Sequence, residues 1–210
     1  IDGPEILLAG YHHKLNTGSS NKNTAVFMAM SESPTKSTDW IINPQVVGGL
    51  DVVSGGTDPV AVGIGEEDGH ILYQDTRNDT TGLDRLGLWY SHGLPEQTSW
   101  SYRKAVGDYA FAPVISVSEI SDEDVIVASW GEGYDQSSEL VTMVVDSSFS
   151  PIGEGEVRTA SRGLGYIQLL ETARGVQLFF DFVGPSGPQM QYGMIDPEEG
   201  WIGISDRLGL

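Results

Sequence analysis

The sequence contains no cysteine, which excludes a disulfide framework, a thiolate zinc site and a thiol nucleophile. Basic residues are scarce: 11 Lys and Arg stand against 30 Asp and Glu, for a formal net charge of -19. A surface of this kind repels phosphate backbones and anionic lipid, which argues against nucleic acid and membrane as partners. The same charge suits solubility in a secreted or high-salt setting, and it attracts cations such as calcium. No apolar run approaches the ~20 residues that span a bilayer, and the N-terminal stretch lacks the basic start and apolar centre of a signal peptide. With Ile1 first, the reading is a secreted or extracellular protein in mature form, or a fragment. No segment carries a helical period with caps. A Gly-x-Ser-x-Gly elbow, a P-loop and a dinucleotide-binding glycine fingerprint are also absent, which counts against the functions they serve.

What is present is strand and punctuation. The 210 residues, 39% hydrophobic, suffice for a sizeable core. The 27 Gly and 10 Pro cut the chain into short runs rich in Val, Ile and aromatics. These runs predict strands at 5–13, 25–30, 40–47, 59–65, 70–75, 86–91, 100–106, 113–119, 124–130, 140–146, 156–161, 165–171, 177–183, 190–196 and 201–206. So many short strands define an all-β fold, either a β-sandwich or a radial array of repeated sheets.

Spacing favours the array. Residues 59–106 read as strand, strand, long polar loop, strand, polar turn and Trp strand, and 113–161 and 165–206 follow the same order. The period of about 45–50 residues is that of propeller blades. The stretch "AVFMAMSESPTKSTDW" (25–40) returns as "GLWYSHGLPEQTSW" (87–100), each with a serine, Ser31 or Ser91, followed nine positions later by Trp40 or Trp100. The expectation is a single β-propeller-like domain of about four to five antiparallel blades. Its units fall near 1–50, 51–107, 108–161 and 162–210, whole or incomplete, with the first unit lacking the first of its four strands. Trp40, Trp100 and Trp201 are expected at equivalent packing positions. A β-sandwich is the alternative.

These blades resemble those of sugar-handling β-propellers: five-bladed glycoside hydrolases, sialidase-type propellers and fungal fucose lectins. The likeness is one of blade grammar. The sialidase Asp-box is not met, since "SHGLPEQTSW" has Gly93 without an Asp in the turn. The early Arg of fucose-lectin second strands is missing from "HILYQD", "DVIVASW" and "VQLFFDF". The resemblance implies a ligand site where the first, innermost strands begin. There stand Asp58 with Pro59, Tyr109 with Phe111, and Arg162 with Tyr166. Aromatic faces stack on sugar C–H surfaces while charged groups bind hydroxyls.

Two functions from different classes follow. The first is a lectin-like carbohydrate-recognition module using Asp58, Tyr109, Phe111, Arg162 and Tyr166. The second is a glycoside hydrolase with paired carboxylates, in which the resemblance makes Asp58 the base and leaves Asp75 and Glu171 as acid candidates. A structural or protein-binding propeller piece, self-associating through an open sheet edge, is a third reading. No cofactor is implied beyond calcium. The acidic turns "GEEDGH" (65–70) and "SDEDV" (121–125) are the places to look for it, although neither has EF-hand spacing. His12 and His13, adjacent on a strand, point to opposite faces and cannot share a metal by themselves. Asn78 begins a glycosylation sequon.

Overall fold

The computed structural model describes residues 6–15, 22–31, 41–43, 60–65, 68–75, 87–94, 100–104, 110–133, 138–160, 163–184 and 187–204. Among these residues the regular structure is strand, in antiparallel meanders. The first unit, Ile1–Val106, contains a three-stranded sheet of β1 (Ile6–Leu15), β2 (Lys22–Ser31) and β3 (Ile41–Asn43). Its second sheet holds β4 (Val60–Ile64), β5 (Gly69–Asp75), β6 (Gly87–Gly93) and β7 (Ser101–Lys104). The second unit, Gly107–Leu210, holds two four-stranded sheets. One is β8 (Ala110–Ile120), β9 (Glu123–Glu132), β10 (Glu139–Asp146) and β11 (Pro151–Ala160). The other is β12 (Ile167–Thr172), β13 (Gly175–Gly184), β14 (Gly187–Asp196) and β15 (Trp201–Ile204).

Each strand pairs only with its neighbours in sequence. The segment "PVAVGIG" pairs with "HILYQD", Val60 opposite Tyr73 and Ile64 opposite Gly69. Greek-key connections of a sandwich would pair distant strands instead. Within the second unit the first strands β8 and β12 lie side by side, and within the first unit β1 lies beside β4. β1 is therefore the strand of its three-stranded sheet that lies nearest β4.

Proline and glycine set strand boundaries that composition alone misplaces. β8 runs back past Pro113 because a bulge between Phe111 and Val114, with Ala112 at φ 48°, absorbs the residue that cannot donate to the ladder. β11 likewise extends back to Pro151, through an irregularity opposite Met143 and Val145. The acidic turn after β8 is a two-residue hairpin, with Ile120 opposite Glu123 and both Ser121 (φ 56°) and Asp122 (φ 63°) left-handed. That is the type I′ geometry matching the strand twist. Asp146 and Asp196 close equivalent turns after the third strands. Ser150 N donates to Asp146 Oδ1 at 2.8 Å, and Glu198 N donates to Asp196 Oδ1 at 3.0 Å.

In the second unit the core lies between its two sheets, where Val125, Val127, Leu140 and Val144 meet Leu164, Ile167, Val176, Leu178, Phe180, Ile195 and Ile202. β9 is buried on both faces from Val125 to Gly131. Gly131 marks its tightest point, since a Cβ there would lie 2.5 Å from the Phe111 ring and 2.9 Å from Leu164 Cδ2. Gly131→Ala is expected to cost about 1–3 kcal/mol, as overpacking does, read from the urea midpoint.

The tryptophans do not behave as one set. Trp100 is buried, its Nε1 donating to Leu94 O at 2.9 Å, whereas Trp201 is 46% exposed. Trp40 lies outside the described residues. The difference follows from the faces: Trp201 opens β15 on the face opposite the one that packs on β8–β11 within the second unit. Ser31 and Ser91, the two serines of the repeated stretch, are both buried.

Candidate functional site

Three of the residues singled out in the sequence, Asp58, Tyr109 and Arg162, lie outside the described residues. The others are placed by the strands that carry them. Asp75 ends β5 opposite Gly87. Because β5 runs antiparallel to β4, that end is the rim at which β4 begins, two residues after Asp58 in sequence. Phe111, the second residue of β8, packs against the core over Gly131, beside Leu164. The starts of β8 and β12 therefore meet at one rim of the second unit.

Tyr166, just before β12, is tied there by the backbone. Asp181 N donates to Tyr166 O at 3.1 Å, and the Asp181 carboxylate accepts Tyr166 N–H. Its side chain is 83% exposed and, by strand alternation from the inward Ile167, it stands on the sheet face opposite the core. Tyr166 and Phe111 thus share a rim but not a face. Glu171 lies five residues further along β12, about 16 Å at 3.3 Å per residue. It accepts a hydrogen bond from Ser118 Oγ at 3.3 Å, late in β8. The structure places Glu171 at the opposite rim from Phe111 and Tyr166.

The rim where β8 begins carries a charged group that the sequence reading missed. Glu132 closes β9 opposite Ala110, and Glu139 opens β10 opposite Glu132. Arg158, on β11, reaches both. Its Nη1 lies 2.8 Å from Glu132 Oε2 and 3.1 Å from Glu139 Oε2, while its Nε donates to Glu156. The bond to Glu156, with Glu139 and the Glu132 charge adding to it, raises the Arg158 guanidinium further above its ordinary value against the cost of desolvation. Three carboxylates gathered on one cation leave a net negative rim suited to polar ligands with hydroxyl donors. Arg158→Met leaves those carboxylates facing one another. At a half-exposed site this costs about 1 kcal/mol, and calorimetry is expected to show a melting temperature lower by about 2–4 °C.

A second group lies in the first unit, at the turn between β4 and β5, away from the Asp75 rim. His70 and His92 are directly opposed on β5 and β6, and Tyr90 shares their face two residues before His92. His70 Nδ1 and the Tyr90 hydroxyl are 2.6 Å apart, both fully buried, and the His92 ring stacks within 6.0 Å of both. Asp68, in the turn "GEEDGH", pairs with His92 Nδ1 at 3.1 Å. That turn therefore anchors a histidine. Among the described residues no group of three or more Asp, Glu or His side chains is arranged to hold a metal ion.

Antiparallel meanders repeated along the chain, with the first strands of successive sheets adjacent within each unit, define a protein of the β-propeller class. No family model matches the sequence, and no curated protein matches it. Among solved structures the chain is similar to an exo-1,5-α-L-arabinanase from a bovine ruminal metagenomic library. The similarity runs at 12% identity over 95% of this chain and 74% of that one, with a TM-score of 0.51. It is also similar to a mutant α-L-arabinanase of Cellvibrio cellulosa, at 15% identity over 95% of this chain and 73% of that one, with a TM-score of 0.47.

Proposed function

We propose that the chain is a glycoside hydrolase-type propeller acting on a polysaccharide. The observation that carries the reading is the propeller fold, which runs along 95% of the chain in common with an exo-acting arabinanase. Asp58 is the proposed base, because an Asp-Pro pair directly precedes in sequence the strand β4, which begins the four-stranded sheet of the first unit. Asp75 is the proposed partner, because its strand ends at the rim where β4 starts. Glu171 stands at the far rim of its unit and is assigned no role in bond cleavage. Two carboxylates at one rim can protonate the leaving oxygen and either attack the anomeric carbon or activate water.

Recognition of a glycan without cleavage uses the same class of ligand, and one assay separates the two. Release of reducing ends is measured on a panel of polysaccharides that includes 1,5-linked arabinan. The expected result is release from at least one polymer, abolished in Asp58→Asn and unchanged within about twofold in Glu171→Gln, as for a surface substitution away from the chemistry. Retention on a polysaccharide gel without any release would replace hydrolysis by recognition.

A further inference from the structure

We draw no further inference here: the strongest candidate, the apolar face of the β12–β15 sheet that carries Leu170, Tyr192 and Trp201, carries nothing because nothing in the structure shows what covers it.

Discussion

Asp58→Asn is expected to lower the rate of polysaccharide hydrolysis by two to four orders of magnitude, the range that positioned acid–base catalysis supplies, without changing the melting temperature. The amide keeps the size of the carboxylate and removes its ability to take a proton or to attack. The loss should appear in kcat, with KM altered little, because the group is used in the transition state and not merely for holding substrate. Asp75→Asn should behave likewise. If its carboxyl is the acid, the loss will be smaller on substrates with an activated leaving group, which need no protonation. Initial rates on a natural polymer and on an aryl glycoside, measured side by side, read both effects.

Trp130→Ala is expected to cost about 3–5 kcal/mol, as removal of a buried aromatic does. Trp130 is fully buried on β9, in register with Val141 and, one strand further, with Arg158. No neighbouring strand can collapse into the space without breaking its ladder. Trp130→Phe should cost far less. The indole Nε1 is buried without a hydrogen-bond partner among the described residues, so the wild type already bears a desolvation cost of about 1–3 kcal/mol that phenylalanine does not. Urea unfolding of the two variants gives the comparison. Equal losses would mean that ring volume alone sets the stability there.

Each of the fifteen segments predicted as strands holds a strand among the described residues, because β-branched and aromatic runs bounded by glycine have few other ways to bury themselves. Boundaries were less legible where bulges override the ordinary meaning of proline, as at Pro113 and Pro151. The fourth-strand position of Trp100 and Trp201 marks the repeat, but position in the repeat does not say which face is covered, so the two look alike in sequence and differ in burial. The charged rim was hidden for a related reason. Glu132, Glu139 and Arg158 sit on three successive strands, and only the register brings them together. His70 and His92 could have been found, since a histidine in each of two strands that form a hairpin is worth placing in register. In the sequence reading the first was absorbed into an acidic turn.

The account rests on bond cleavage at the rim where β4 begins, and the direct measurement is the proton NMR spectrum of a polysaccharide during incubation with the protein. New anomeric signals that grow with wild type and fail to grow with Asp58→Asn are the predicted result, and the anomer formed first reports retention or inversion. A spectrum unchanged across the polysaccharide panel, from a sample whose circular dichroism shows the folded β-structure, would contradict it.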